Sequence, residues 1–331
     1  MNTNDRGDFS EIPVLDVAPL YGTDREKIAA TAAQLCDYLE NIGFLYVVGH
    51  QVAAQSVEAV REASKAFFAL PEEQKLDVKI DKNFRGYLPF AGSTIVTSSV
   101  ETVSKPNQSE SLFFMHEVDE TDPRCLAGEP LQGPNQWPAE EVLPNFRPTI
   151  EHYVDGMSTL ARKMVGAIAL SLGLPEDSLD AHFEDPTIFL RLLHYPTQPK
   201  EEGLFGSAPH TDYGFITLLA QDDVGGLEVK NKDDEWIAAP PIPNAFVMNV
   251  GDILARWSNH RFVSTPHRVV NYSGRERYSQ PFFFDPSMDA MIETIEACVP
   301  TGETPKSGPV RYGDYLMERI DKNYHYRKKA S

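Results

Sequence analysis

The sequence of 331 residues has few cysteines, few basic residues and no long apolar run. Its three cysteines, Cys36, Cys125 and Cys298, lie far apart and form no Cys-x-x-Cys pair, so a zinc ribbon, a redox dithiol and a disulfide scaffold are not expected. No stretch approaches the roughly 18 consecutive apolar residues of a membrane-spanning helix. Residues 1–10 are polar and lack the basic and apolar regions of a signal peptide. These absences favour a cytoplasmic protein.

Positive charge is scarce. The 30 Lys and Arg residues are outnumbered by 49 Asp and Glu residues, so the formal net charge is −19. Because an acidic chain is repelled by phosphate backbones, nucleic-acid binding is not expected. A small anionic ligand is not excluded, since one nearby arginine outweighs a distant field. We expect a small-molecule substrate, and no nucleic acid, membrane or protein partner.

The first 180 residues predict a helical region that supports a catalytic core. Apolar residues recur at three- and four-residue spacing over residues 24–42, 54–69 and 146–172, which is typical of amphipathic helices. Residues 81–145 instead are rich in Ser, Thr, Asn, Pro and Gly and show little periodicity. A long irregular stretch in a compact protein is often functional, and we expect this one to form a lid.

The chain becomes rich in β-structure after residue 186. Eight short β-prone runs, separated by turns, lie between residues 188 and 298, which is typical of a sandwich or jelly roll. The predicted fold is therefore mainly β with α: a jelly-roll or cupin-like core over residues 186–300, supported by N-terminal and long central helices. A helix and tail follow over residues 309–331. Although the length alone suggests about two domains, we expect residues 1–331 to form a single catalytic unit.

Three residues of the β-rich region have the chemistry of a metal site. On a strand, residues two apart point to the same face, so His210 and Asp212 are able to reach one metal ion together. His267 lies in another β-prone run, whereas His260 lies in a turn and is expected outside the barrel. Two histidines and a carboxylate on a β scaffold form the facial triad of non-haem Fe(II) oxygenases. Zinc hydrolases use similar ligand sets and remain an alternative, although the chain has no His-Glu-x-x-His helix.

A second pair of residues is suited to holding a carboxylate. Arg277 and Ser279 alternate onto one face of an apolar strand that ends in Phe282-Phe283-Phe284. A guanidinium binds a carboxylate in a bidentate manner, and the serine hydroxyl adds a further donor. The pair therefore predicts an anchor for an anionic cosubstrate beside the metal.

These residues stand in a wider pattern of motifs, in an order that resembles the isopenicillin N synthase-like branch of the Fe(II)/2-oxoglutarate-dependent dioxygenases. The resemblance covers nearly the whole chain. The matching segments are Ile12-Pro13-Val14-Leu15-Asp16, Gly43-Phe44-Leu45-Tyr46-Val47-Val48-Gly49-His50, Phe67-Phe68-Ala69-Leu70-Pro71, Arg85-Gly86-Tyr87, Arg191-Leu192-Leu193-His194-Tyr195-Pro196, His210-Thr211-Asp212, Asp223-Val224-Gly225-Gly226-Leu227, Asn249-Val250-Gly251-Asp252, His267-Arg268-Val269 and Arg277-Tyr278-Ser279.

The resemblance implies a distorted double-stranded β-helix that binds Fe(II), 2-oxoglutarate and O₂, with ascorbate as a possible support. It implies that His210, Asp212 and His267 are the iron ligands and that Arg277 and Ser279 hold the distal carboxylate of 2-oxoglutarate. Tyr195 is expected to contribute a further hydrogen bond to the cosubstrate. The expected reaction is oxidation, by default hydroxylation, of a C–H bond of a small metabolite, with succinate and CO₂ as coproducts.

Substrate-facing residues are expected in three places: beside the His-x-Asp turn, at the end of the Arg-x-Ser strand, and in the lid and the opening barrel strand. The candidates are Tyr213, Phe215, Phe284, Arg85, Tyr87 and His194. The runs at 210–214, 220–227 and 264–267 also resemble bacterial ethylene-forming enzymes, so fragmentation of 2-oxoglutarate is an alternative reaction. An alternative from another class is a non-catalytic, cupin-like protein that binds a metal or a small molecule.

Overall fold

The computed structural model describes residues 9–94, 100 and 104–323. Part of the predicted lid, the basic tail Arg327-Lys328-Lys329 and most of the N-terminal tail lie outside these residues. All three cysteines are unpaired thiols. None of the helices among the described residues is both long enough and apolar enough to cross a membrane.

The helices predicted from apolar periodicity are confirmed. Asp24 caps the first one, because its side chain accepts hydrogen bonds from the backbone N–H groups of Glu26 at 3.2 Å and Lys27 at 3.3 Å. A short helix after residue 251 was not predicted, since six residues are too few to show a period. The helices of the described chain are α1 (Arg25–Asn41), α2 (Ala54–Phe68), α3 (Glu72–Leu76), α4 (Pro123–Leu126), α5 (Phe146–Ser171), α6 (Asp252–Trp257) and α7 (Tyr312–Asn323).

The strands form a jelly roll of two main sheets, which confirms the predicted double-stranded β-helix. The strands are β1 (Val14–Asp16), β2 (Phe44–Val48), β3 (Gly86–Leu88), β4 (Glu110–Met115), β5 (Thr187–Tyr195), β6 (Ser207–His210), β7 (Ile216–Gln221), β8 (Leu227–Lys230), β9 (Trp236–Ala238), β10 (Phe246–Val250), β11 (His267–Val269), β12 (Arg277–Asp285), β13 (Met291–Ile292) and β14 (Val310–Arg311). The major sheet has the order β1-β2-β10-β7-β12-β5-β4-β3, and the minor sheet has the order β6-β11-β8-β9.

The region expected to be irregular contributes to the major sheet. Strands β3 and β4 fall within residues 81–145, and β4 pairs with the barrel strand β5 along its whole length. Glu110–Met115 is buried throughout, and its short run of apolar residues was not predicted as a strand. One hydrophobic core extends from Leu15 near the N-terminus to Ile320 in the last helix.

The two long strands at the centre of the major sheet separate the interior of the barrel from the helices. Because side chains alternate along a strand, Leu190 and Leu192 of β5 pack in the core that includes α5, while Arg191, Leu193 and Tyr195 line cavities inside the barrel. Strand β12 pairs antiparallel with β5, and its odd-numbered residues face the same interior. The site is built on this inner face.

Candidate active site

The structure brings His210, Asp212 and His267 together at the inner ends of two paired strands. His210 ends β6 and lies opposite His267, which begins β11. The Nε2 atoms of the two histidines lie 3.7 Å and 3.8 Å from Oδ1 of Asp212. One ligand atom from each residue falls within 4.8 Å of the others, as expected of three groups that share an ion.

Hydrogen bonds orient each of these side chains. Nδ1 of His210 lies 2.7 Å from the carbonyl of Ala208, and Nδ1 of His267 lies 3.2 Å from that of Thr265. A carbonyl only accepts, so each Nδ1 carries the proton and each Nε2 keeps a lone pair for a metal. Oδ2 of Asp212 accepts from the Thr217 hydroxyl and from Nδ2 of Asn249, which leaves Oδ1 for the ion.

The protonation states of His210 and Asp212 also suit a metal. Burial, together with the neighbouring His267, lowers the pKa of His210 to about 4, so its imidazole is neutral near pH 7. Burial alone would raise the pKa of Asp212, but His267, His210 and the hydrogen bonds to its carboxylate hold that pKa below its ordinary value. A neutral imidazole and an ionised carboxylate are the forms that bind a divalent cation.

A cavity on one side of the three residues ends at a buried arginine. Arg277 has no measurable exposure, and its Nη1 donates to Oγ of Ser279 at 3.1 Å while its Nη2 donates to Oε1 of Gln221 at 3.2 Å. Its Nε is buried without a hydrogen-bond partner, and the ring of Tyr195 lies 4.7 Å from Cζ. A buried guanidinium with only neutral partners and an unpaired donor fits an anionic ligand such as a dicarboxylate.

A second cavity lies on the other side of the three residues and shares a wall with the first. It has about 820 Å³ of empty space including its open mouth. Its lining combines the rings of four phenylalanines and a tyrosine with polar and charged side chains, as in sites for small molecules. The lining residues are Phe84, Ser93, Thr94, Asn107, Phe113, Phe189, Arg191, Ser207, His210, Thr211, Asp212, Tyr213, Gly214, Phe283, Asp285, Leu316 and Ile320.

Of the six predicted substrate-facing residues, the structure places Tyr213 in this cavity and the other five outside its lining. Phe215 and Phe284 are fully buried on the far side of the sheet, where both pack against Phe183 at 4.9 Å and 5.5 Å between ring centroids. Each is one position away from a residue of the inner face. The expectation that Phe215 and Phe284 face the substrate is therefore wrong, because neighbouring residues along the chain point to opposite faces of the sheet.

Tyr87 and His194 lie on the outer face of the sheet, not in the lid or the cavity. Both contact the buried carboxylate of Glu110: the Tyr87 hydroxyl donates to Oε2 at 2.5 Å, and Nδ1 of His194 lies 2.8 Å from Oε1. Lys75 completes this outer cluster with an ion pair of 2.7 Å to Oε2. Tyr87 and His194 therefore take part in the packing of the helices against the outer face of the sheet.

Arg85 is fully buried and holds the backbone of the preceding and following loops. Its Nη1 donates to the carbonyls of Asn83 and Leu131, and its Nη2 donates to the carbonyl of His116. All three distances fall between 2.8 and 3.0 Å. The guanidinium is thus used within the segment that was expected to form a lid, away from the cavity lining.

Sequence reasoning missed most of the residues that line the cavity, among them Phe189, Arg191, Phe283 and Asp285 on the two central strands. A signal for them was present. Arg277 and Ser279 share one face of a strand, so continuing the alternation by four and six positions from Ser279 marks residues 283 and 285 for that same face. The same count backwards from Tyr195 marks residues 191 and 189.

Two family models match the chain. The model of the 2OG-Fe(II) oxygenase superfamily matches residues 186–286, and the N-terminal model of non-haem dioxygenases in morphine synthesis matches residues 12–140. The first covers the barrel and the second the strands and helices that precede it. Both the catalytic core and its N-terminal support are therefore features of one family.

Similar proteins and structures agree with these matches. The 2-oxoglutarate-Fe(II) type oxidoreductase hxnY of Emericella nidulans is 36% identical over 94% of this chain and 90% of its own length. Homoarginine-6-hydroxylase 2-ODD-233 of rice is 37% identical over 96% of this chain and 98% of its own. The crystal structure of a full-length Neurospora crassa protein in complex with alpha-KG and thymine superimposes with a TM-score of 0.82 at 30% identity, covering 97% of this chain and 98% of that one.

These likenesses decide against two of the alternatives left by the sequence, while fragmentation of 2-oxoglutarate stays an alternative reaction. A zinc hydrolase would share the ligand types and a non-catalytic cupin-like protein would share the barrel, but neither accounts for relatives that match both halves of the chain and are oxidoreductases or hydroxylases. The chain belongs to the 2OG-Fe(II) oxygenase superfamily, in its isopenicillin N synthase-like branch, and is a non-haem Fe(II)- and 2-oxoglutarate-dependent dioxygenase that oxidises a small molecule.

Proposed function

We propose that His210, Asp212 and His267 hold the iron, that Arg277 and Ser279 bind the distal carboxylate of 2-oxoglutarate, and that the enzyme hydroxylates a C–H bond of a small metabolite. The observation that carries this proposal is the position of the three ligands at the junction of two cavities, one of which ends at Arg277. This arrangement supports one cavity for the cosubstrate and one for the substrate.

The residues of the chain bind and orient the reactants. Arg277 supplies a fixed positive charge, Ser279 supplies a hydroxyl donor, and the Tyr195 ring packs against the guanidinium and limits its movement. Thr217 and Asn249 keep Asp212 in one orientation. When bound, iron and 2-oxoglutarate would supply the chemistry by which O₂ oxidises a C–H bond of the substrate, and succinate and CO₂ would be the coproducts.

The apolar walls exclude water from the reacting centre. Phe113, Phe189 and Phe283 surround the substrate side of the metal ligands, and a dry site suppresses side reactions of an activated oxidant. Because strands before and after residue 180 share one sheet and one core, we expect residues 1–331 to act as a single catalytic unit. The three unpaired thiols support a reducing, cytoplasmic location.

An anaerobic titration tests the proposal. We expect Fe(II) and 2-oxoglutarate together to produce a weak charge-transfer absorption band in the green part of the visible spectrum, and neither alone to do so. Admitting O₂ should then release succinate. If the loaded protein shows no band and forms no succinate in an O₂-dependent manner, the proposed function is wrong.

A further inference from the structure

One basic and one acidic side chain line the substrate cavity, and neither has an oppositely charged partner among the described residues. Arg191 lies on β5 and Asp285 at the end of β12, and both line the cavity. The hydrogen bonds that each makes go to neutral groups. Asp285 is buried and Arg191 is partly buried, and a charge removed from water without a partner is costly. A ligand that supplies the missing charges would therefore be bound favourably.

Asp285 is held in place by donors that leave its charge unbalanced. Its carboxylate is 2% exposed, Oδ1 accepts from the N–H of Phe215 at 2.6 Å, and Oδ2 accepts from the hydroxyl of Tyr312 at 2.7 Å. Burial, with a contribution from the like charge of Asp212, raises the pKa of Asp285 to about 7. Each oxygen can accept a further hydrogen bond, because a carboxylate oxygen has two acceptor sites.

The backbone makes room for this carboxylate beside the metal turn. A Cβ atom on Gly214 would lie 1.9 Å from Oδ1 of Asp285, so the glycine is required for the close approach. Gly214 follows Tyr213 directly in the cavity lining. Asp285 therefore lies against the loop that carries Asp212, on the substrate side.

Arg191 lies at the opposite end of the cavity wall from Asp285, and its hydrogen bond also goes to a neutral group. Its Nη2 donates to Oγ of Ser111 at 3.0 Å, and its Cζ lies 4.7 Å from the ring centroid of Phe113. Its Nε is buried and has no hydrogen-bond partner in the part of the chain that the structure describes. A carboxylate or carbonyl oxygen in the cavity would satisfy this donor.

The strand register sets the distance between the two charges. Asp285 pairs with Thr187 of β5, and Arg191 lies four residues further along the same strand, which is about 13 Å at the usual rise per residue. Phe189 and Phe283 pair opposite each other between these levels, with ring centroids 6.4 Å apart. The wall thus presents a cation, an aromatic middle and a carboxylate, in that order.

We propose that the cavity is specific for an amino acid with a cationic side chain, whose carboxylate binds Arg191, whose methylene groups lie on Phe189 and Phe283, and whose side-chain cation binds Asp285. This inference rests on the proposed function, since His210 and Asp212 line the same cavity and would face the methylene chain. The net charge of −19 favours the approach of such a ligand. Three relatives of this chain are homoarginine-6-hydroxylases, and homoarginine is an amino acid with a cationic side chain.

The test compares two ligands of nearly equal shape and different charge. L-homoarginine ends in a guanidinium, and L-homocitrulline ends in the corresponding neutral urea. Binding is measured by calorimetry on the anaerobic protein loaded with Fe(II) and 2-oxoglutarate, so that no turnover occurs. We expect the guanidinium compound to bind at least about 30-fold more tightly, which is the effect of losing one partner of a buried charge pair. L-arginine against L-citrulline, and L-lysine against L-norleucine, extend the comparison to other lengths.

Asp285→Asn should reduce this preference to a few-fold, because the asparagine can still accept from Phe215 and contact Tyr312 but carries no charge. Asp314→Asn is the matched control: its side chain is 73% exposed on α7 and pairs with Arg311 at 3.7 Å, so it removes the same charge without touching the cavity. A purely structural role of Asp285 would change the melting temperature but not the ratio of the two affinities. If Asp285→Asn does not fold, the ligand ratio in the unaltered protein still decides.

Two results would overturn the inference. One is that none of L-lysine, L-arginine and L-homoarginine binds at millimolar concentration. The other is that Asp285 contributes no charge preference, seen either as equal binding of the charged and neutral ligands or as the same affinity ratio in Asp285→Asn. The charge-transfer band of the same samples separates the two proposals. A normal band with no binding of basic amino acids rejects the substrate class alone, whereas a missing band rejects the proposed function.

Discussion

Two buried clusters of histidine and carboxylate lie on opposite faces of the major sheet, and they differ in what is left unsatisfied. In the outer cluster, the carboxylate of Glu110 is bonded by Lys75, Tyr87 and His194. Burial would raise the pKa of Glu110, but those three partners hold it below its ordinary value. The charges of the outer cluster are balanced within the protein, as is usual for a structural ion pair.

The inner cluster leaves atoms free for a ligand. The Nδ1 atoms of His210 and His267 and Oδ2 of Asp212 have protein partners, whereas the two Nε2 atoms and Oδ1 converge on one another. The inner face also holds Arg277 with only neutral partners. The comparison teaches that residue type and burial do not separate a site from a structural network, but the balance of charge does.

The largest effect is expected from removing an inner ligand. His210→Ala should lower iron binding and succinate formation at least about 100-fold, because loss of a direct ligand exceeds the 10- to 100-fold cost of losing a supporting group. Metal analysis after gel filtration and a succinate assay measure the two quantities. His260 is exposed and lies seven residues before His267 in the sequence, so His260→Ala should leave iron binding and succinate formation unchanged. Equal iron content in His210→Ala and His260→Ala would count against the ligand assignment.

A large effect is also expected at the end of the cosubstrate cavity. Arg277→Ala should raise the KM for 2-oxoglutarate by about 30-fold or more, because it leaves a bound carboxylate without its charged partner. Steady-state rates against 2-oxoglutarate concentration give this value. Arg275→Ala serves as the control, since Arg275 is 60% exposed and pairs with Asp223 outside the cavity. An unchanged KM in Arg277→Ala would reject the anchoring role.

A smaller effect is expected from the residues that orient the inner carboxylate. Asn249→Ala removes the 2.7 Å hydrogen bond to Oδ2 of Asp212 and should weaken Fe(II) binding by about 10- to 100-fold. Competition with a coloured chelator under anaerobic conditions measures the affinity. The same iron affinity in the variant and the unaltered protein would show that Asp212 does not need this support.

The smallest effect on the site is expected from the outer cluster. Glu110→Gln leaves Lys75 buried without its counter-ion and should lower the free energy of unfolding by about 3 kcal/mol, while iron and 2-oxoglutarate affinities stay the same. Urea denaturation and the anaerobic titration measure the two properties. Glu62→Gln breaks an exposed pair with Lys65 and should cost under about 1 kcal/mol. If Glu110→Gln lowered iron affinity as much as Asn249→Ala, the contrast between the two faces would fail.

Several elements could be predicted from the sequence because their signals are local. The periodicity of α1, α2 and α5 spans four or more turns, so it is clear without tertiary information. The spacing of Arg277 and Ser279 places this pair on one face of β12 whatever the rest of the fold. Asp212 lies two residues past the end of β6, so its approach to His210 depends on the loop that follows the strand and not on strand alternation. The structure brings these pairs and His267 around two adjoining cavities.

The substrate side was less predictable because it depends on which face of each strand is turned inward. Phe283 and Phe284 are chemically identical, and only the pairing of β12 with β5 decides that Phe283 lines the cavity while Phe284 packs against Phe183. Residues such as Arg85 and Tyr87 were selected for their chemistry and their place in an irregular segment. Their partners are distant in sequence, so their structural use could not be seen from local spacing.

The sequence by itself determined the family, the jelly-roll class and the residue types available for iron and 2-oxoglutarate, because these depend on short motifs and on periodicity. Only the tertiary structure decided which charges are balanced. The outer cluster joins residues 75, 87, 110 and 194, and the proposed substrate wall joins Arg191 to Asp285 across paired strands. Whether a buried charge is neutralised depends on distances of a few ångströms between residues far apart in the chain. Strand pairing and the packing of helices on the sheet set those distances.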